Sequence, residues 1–143
     1  MIDYADIIKK LKSNNLRITP QRKIILTILC DKYDKVISIN ALFNEAKKRS
    51  TSLNLSTLYR NLQQLEILNI VSRINLEDGK DYFTLVCDES HHHHIICTNC
   101  GKKIILKYCP YNEMLNAARQ ESFTLTGHSI LLYGLCETCA KSI

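Results

Sequence analysis

No segment of this 143-residue chain approaches the roughly 18 consecutive apolar residues that would span a bilayer. The opening MIDYADIIKK also lacks the long apolar run of a secretion signal. These two absences argue against a helical membrane protein or a secreted one, and the expected location is the cytoplasm. Trp is missing and Pro occurs only twice, which by themselves exclude nothing. Seven cysteines are an odd number, a better fit to reduced thiols and metal ligation than to a secreted disulfide scaffold. The length suits one ordinary domain or two small modules. An acidic excess is lacking as well. Residues 1–86 carry 14 Lys/Arg against nine Asp/Glu, whereas residues 87–143 carry five of each. A polyanion would therefore meet the first part, because phosphate neutralisation dominates nonspecific nucleic-acid affinity. Many solvated helical surfaces are equally basic, so charge alone does not decide.

The strong metal ligands are concentrated in the last third. Cys97/Cys100 and Cys136/Cys139 form two Cys-x-x-Cys pairs, and the first follows directly on His91, His92, His93 and His94. A thiolate pair at this spacing grips one face of a tetrahedral Zn²⁺ from a tight turn, and a second pair completes the shell. The 35 residues between the pairs imply a folded module closed by the ion. A redox Cys-x-x-Cys needs one pair opening a helix in a βαβ unit, and no such pattern surrounds either pair.

The first part reads as helices followed by a hairpin. Ile7, Ile8 and Leu11 recur at helical spacing up to about Ser13, and Asn14-Asn15 ends that helix. Thr19-Pro20 supplies an N-cap and a proline at the first helical position, with Ile24, Ile25, Ile28 and Leu29 as the apolar stripe. Cys30, among apolar neighbours, belongs to the core. Ser38 caps a third helix that turns Leu42, Phe43 and Ala46 inward and ends in Lys47, Lys48 and Arg49, suited to its negative pole. A fourth helix starts near Asn54 or Leu55. Leu55, Leu58, Leu62 and Leu65 make its apolar face, opposite Ser56, Tyr59, Arg60 and Gln63. Strand patterns at 71–74 and 81–86 flank Glu77-Asp78-Gly79, whose Asp-Gly pair signals a turn. This is the layout of a winged helix-turn-helix, whose last helix enters the major groove. Tyr59 is placed to pack on a thymine methyl and Arg60 to reach a phosphate or a guanine edge.

These residues resemble the ferric uptake regulator family of metal-sensing repressors. Leu16-Arg17-Ile18-Thr19-Pro20-Gln21-Arg22 is similar to its N-terminal signature, and Ser56-Thr57-Leu58-Tyr59-Arg60-Asn61-Leu62 to its recognition helix. The run from His91 to Lys102 resembles its His-rich centre, and His128 with Leu132 through Cys139 its end. The resemblance implies an α+β protein: a winged-helix DNA-binding domain over residues 1–86, then an α/β dimerisation and metal-binding domain over 87–143, with a hinge at about 86–91. It implies a homodimer that binds a palindromic double-stranded operator when metal is present. Arg17, Ser56, Thr57, Tyr59 and Arg60 become the DNA-binding set.

The sensed ion follows from departures within that pattern. Iron and peroxide sensors of the family use histidines at the His92 and His94 positions, a further His from the first domain and two carboxylates. Here Thr84 and Ile105 stand at the carboxylate positions, and Lys35-Val36-Ile37-Ser38 contains no His. Cys87 instead lies five residues before His92 and seven before His94, a spacing similar to that of the zinc uptake regulators. Thiolate with imidazole suits Zn²⁺, whereas an oxygen-rich shell suits Fe²⁺ or Mn²⁺. The regulatory ligands are accordingly Cys87, His92 and His94, with Zn²⁺ favoured. The fourth ligand stays open among Asp78, Asp81, Asp88, Glu89 and water. His91 and His93 face the other way in an extended strand and form a third candidate site with Glu113 and His128, as in several family members. Cys109 is structural by default. Iron- or peroxide-responsive regulation is the alternative within the family. A zinc-buffering or delivery protein is the alternative of another class, although it has no need of a helix-turn-helix. No general base accompanies an open zinc position at a motif-like spacing, so the chain is not expected to be an enzyme.

Overall fold

The computed structural model describes residues 3–86 and 93–143. The chain divides into two compact units, Met1–Glu89 and Ser90–Ile143.

In the first unit α1 (Tyr4–Ser13), α2 (Pro20–Asp31), α3 (Ile39–Arg49) and α4 (Leu55–Ile67) accompany the short β1 (Ile37–Ser38) and the hairpin of β2 (Val71–Asn75) and β3 (Asp81–Leu85). Each helix after the first begins where a short polar side chain accepts an otherwise orphaned amide. Thr19 Oγ1 accepts from Arg22 N–H (3.2 Å), Ser38 Oγ from Ala41 N–H (3.2 Å) and Asn54 Oδ1 from Thr57 N–H (2.8 Å). Helix α1 stops because Asn15 adopts φ 58°, which lets Leu16 N–H return to the Leu11 carbonyl (2.9 Å). Asn69 ends α4 in the same way at φ 54°, with Ile70 N–H on the Leu65 carbonyl (2.9 Å).

The sheet runs β1-β3-β2, antiparallel throughout, with Ile37 opposite Phe83 and Val71 opposite Leu85. Its hairpin turn uses Gly79 at φ 74°, a conformation glycine adopts without a Cβ penalty. Asp78 Oδ1 accepts from Lys80 N–H (3.0 Å). Eighteen buried residues, among them Leu11, Leu29, Leu42, Leu62 and Phe83, form one core cluster, and all belong to this unit. Cys30 packs on that cluster while only half-buried. Leu55 departs from the sequence expectation. It is 42 % exposed, because at the first helical position it precedes the turn in which Leu58, Leu62 and Leu65 meet the core.

In the second unit β4 (His93–Cys97) lies between β5 (Lys103–Leu106) and β6 (Leu131–Gly134), antiparallel to the first and parallel to the second. A parallel pair requires a long crossover, and α5 (Tyr111–Gln120) lies within it; α6 (Glu137–Ala140) follows β6. Little is buried here. Ile96, Cys97 and Cys139 are the buried apolar residues among those described. Ile104 and Leu132 remain 52 % and 42 % exposed and flank Ile95 on one face of the sheet, an apolar surface of the kind that marks an interaction face. No helix among the described residues is long and apolar enough to cross a membrane.

Candidate metal centres and nucleic-acid interface

Two groups of metal-ligating side chains converge in the second unit. The first is Cys97, Cys100, Cys136 and Cys139, whose sulfurs all lie within 4.8 Å of one another. Cys97 ends β4, and the turn after it closes through Gly101 N–H to the Cys97 carbonyl (2.9 Å), with Gly101 at φ 75°. Thr98 N–H bonds the Gly134 carbonyl (2.9 Å), which pins this turn beside the segment carrying the second pair. Cys136 then stands at the N-cap position of α6, which holds Cys139. The described cysteines are free thiols, so no disulfide joins them.

The geometry fits Zn²⁺. A tetrahedron with Zn–S of about 2.3 Å has edges of ~3.8 Å, and Cys100 Sγ lies 3.8 Å from Cys136 Sγ. Backbone N–H groups of Cys100 and Cys136 pull the Cys97 thiol down to about 6, and the Cys136 amide is 3.4 Å from its sulfur. At Cys139 the Asn99 side-chain amide (3.3 Å) favours the thiolate, but the Cys136 thiol and burial prevail and raise it to about 11. Taking up an ion as four thiolates therefore expels protons.

The second group is His93, Cys109 and His128. Cys109 Sγ stands 3.1 Å from His128 Nε2, which stands 3.3 Å from His93 Nε2. Ile130 N–H donates to His93 Nδ1 (3.2 Å) and orients the ring. In this arrangement the neutral ring carries its proton on Nε2, so ligation from that nitrogen requires the Ile130 contact to open. His93 and His128 thus meet as the third candidate site required, but Cys109 joins them in place of Glu113. Glu113 is exposed on the first turn of α5 and is not in the group. No spacing rule identifies Cys109, since the parallel β4–β6 pairing brings it together with residues 16 and 19 positions away. Its place just before Pro110 and the start of α5 was the available signal.

His94, adjacent to His93 on β4, faces away from this group by strand alternation; it pairs with Ile105 and Leu131. Cys87, His91 and His92 lie outside the described residues. Neither of the two lost carboxylates of the hard ligand set can be replaced locally. Thr84 is buried, its hydroxyl donating to the Lys35 carbonyl (3.1 Å), and Ile105 offers no lone pair.

On the first unit, α4 exposes Leu55, Ser56, Arg60 and Gln63. Thr57 is half-buried and its amide is used by the Asn54 cap. Tyr59 is less free than the sequence suggests. It packs against the core, its hydroxyl donates to Asp81 Oδ2 on the wing (3.4 Å), and the Arg73 guanidinium lies 6.0 Å from its ring centroid. Arg17 is exposed on the loop before α2. Sequence reasoning missed the part that Arg73 and Asp81 play in holding Tyr59.

A capped four-helix unit with a hairpin wing, followed by a sheet closed by four cysteines, agrees with the comparisons. The Ferric uptake regulator family profile matches residues 13–133. The chain belongs to the ferric uptake regulator family. It is 36 % identical over 135 residues to the ferric uptake regulation protein of Yersinia pestis, covering 91 % of this chain and 88 % of that one. The crystal structure of the Vibrio cholerae ferric uptake regulator superposes with TM-score 0.67 at 32 % identity, covering 90 % of this chain and 98 % of that one. A zinc uptake regulator complexed with zinc and DNA superposes with TM-score 0.73 over 96 % of this chain and 93 % of its own, and at 23 % identity it shows the shared fold. This ferric uptake regulator family member is a metal-responsive transcription regulator rather than an enzyme, and it works as a dimeric DNA-binding protein.

Proposed function

We propose that this regulator is a zinc sensor that represses metal-uptake genes in the cytoplasm, binding a palindromic operator as a homodimer. The observation that supports this most is the loss of the hard ligand set: Thr84 is buried with its hydroxyl on the Lys35 carbonyl, and Ile105 offers no lone pair. Soft sulfur with imidazole favours Zn²⁺ over Fe²⁺ or Mn²⁺, and Cys87, His92 and His94 are of that kind. His93, Cys109 and His128, with no carboxylate among the three, offer the same chemistry at a separate site.

Cys97, Cys100, Cys136 and Cys139 would hold a structural Zn²⁺. Cys87, His92 and His94 are the proposed regulatory ligands, in a hinge at about 86–91. His93, Cys109 and His128, with His91 as a neighbour in sequence, would hold a further ion. Zinc, when bound, supplies a tetrahedral cross-link. The residues of the chain do the rest: Cys87 at the end of the wing and His92/His94 at the entry to the second domain restrict the angle between the domains, so that Ser56, Thr57, Tyr59 and Arg60 of both subunits meet successive major grooves, about 34–36 Å apart, with Arg17 in the minor groove beside them. A hundredfold gain in DNA affinity corresponds to ~2.7 kcal/mol of coupling, and by reciprocity DNA tightens metal binding equally.

Operator affinity measured against buffered free Zn²⁺, Fe²⁺ and Mn²⁺ tests this. Zinc is expected to activate binding at the lowest free concentration, and Cys87→Ser is expected to abolish that response in a folded dimer. An unchanged zinc response in Cys87→Ser removes that residue from the sensor. Iron sensing is the second reading, favoured by the name of the Yersinia pestis relative; activation by Fe²⁺ in preference to Zn²⁺ would establish it.

A further inference from the structure

Arg22 is the one buried arginine among the described residues, at 6 % exposure, and it has no carboxylate partner among them. Its guanidinium donates instead to two neutral oxygens on different elements, the Arg17 carbonyl in the loop before α2 and Gln64 Oε1 on α4. Arg22 Nε meets no acceptor among the described residues. Burial lowers the pKa of the group, as expected when a charge is desolvated without a counter-charge. An aliphatic side chain here would avoid that cost, so the packing of the core does not account for an arginine.

Its two partners do. The Arg17 carbonyl belongs to an exposed cation ahead of α2, and Gln64 lies one helical turn beyond the exposed Arg60. Arg22 therefore ties the loop that carries Arg17 to the helix that carries Arg60, and both of those cations are exposed. Its backbone N–H is fixed by the Thr19 cap (3.2 Å), which anchors the link to the start of α2. Phosphates on a duplex have fixed spacing, and a loop that is ordered in advance loses less entropy on binding.

We infer that Arg22, acting through Gln64, is a positioning residue for DNA binding: it locks the Arg17 loop to the recognition helix α4 so that both engage one duplex together. This rests on the reading of Arg17 and Arg60 as DNA contacts.

The test is a double-mutant cycle on the full-length zinc-loaded protein, with a duplex selected from a random-sequence pool by the wild type and binding read by fluorescence anisotropy. Arg22→Gln is expected to weaken binding at least about tenfold and Gln64→Ala about threefold to tenfold. In an Arg17→Ala background each is expected to cost less than about twofold, since the group they position has gone. Arg22→Gln is also expected to lower the salt dependence by about one phosphate contact, as Arg17→Ala does; a purely structural residue would leave that slope unchanged. Gln64→Ala, at a half-buried helical position that tolerates alanine, carries the test if Arg22→Gln fails to fold. Full additivity with Arg17→Ala, or wild-type affinity in folded Arg22→Gln, overturns the coupling alone. Wild-type affinity in Arg17→Ala overturns the DNA role of Arg17 and the coupling with it.

Discussion

Replacing Cys136 by serine should unfold the second unit while leaving the first intact. Its described buried apolar residues are Ile96 and two of the zinc ligands, Cys97 and Cys139. Full burial of an isoleucine contributes about 1.5–3 kcal/mol, whereas ordering the backbone costs roughly 1–2 kcal/mol per residue. Half-buried side chains, strand pairing and the dimer interface close part of that gap. A structural Zn²⁺ site adds an apparent ~10–16 kcal/mol near neutral pH, comparable to the whole stability of an ordinary domain. In Cys136→Ser only three thiolates remain, which leaves the tetrahedral Zn²⁺ shell incomplete. The first unit has its own eighteen-residue core and should melt separately. Zinc content, sedimentation equilibrium and hydrogen exchange check this together. The expected result is one fewer tightly held Zn²⁺ per subunit, a monomer, and loss of amide protection across β4, β5 and β6 with α1–α4 still protected. A zinc-free Cys136→Ser dimer with wild-type protection in those strands would refute the reasoning.

Three further outcomes follow from the first unit. Arg60→Ala should weaken operator binding by about 1–3 kcal/mol with dimerisation unchanged in sedimentation, and an unaltered binding isotherm would count against α4 as the reading helix. Asn54→Ala removes the acceptor for Thr57 N–H (2.8 Å) and should cost ~1 kcal/mol in urea unfolding; no change in midpoint would show that the cap contributes nothing. Phe83 is fully buried and its ring lies 5.4 Å from the Arg73 guanidinium, so Phe83→Ala should destabilise this unit by about 3–5 kcal/mol. A loss under ~1 kcal/mol would mean that the site collapses around the gap, contrary to the packing described.

Local chemistry was sufficient for much of this protein. Thr19, Ser38 and Asn54 start helices because each side chain satisfies an amide within its own first turn, and Asn15 and Asp78-Gly79 turn the chain by their own backbone preferences. The two Cys-x-x-Cys pairs announced their tetrahedral site for the same reason, since two ligands of each pair lie in one turn. Tertiary structure decided what depends on residues distant in sequence. Cys109 becomes a neighbour of His128 and His93 only because β6 pairs in parallel with β4. Glu113 is left exposed because it lies on the helix beyond. Leu55 faces solvent because the position of α4 on the core, rather than its periodicity, sets where the apolar face begins. Arg22 looks like one more surface cation in the sequence, and only the approach of α2 to α4 in the folded unit buries its charge and directs it to Arg17 and Gln64. Spacing along a chain reports contacts within a turn or a strand, whereas contacts across elements arise from packing that no single segment encodes.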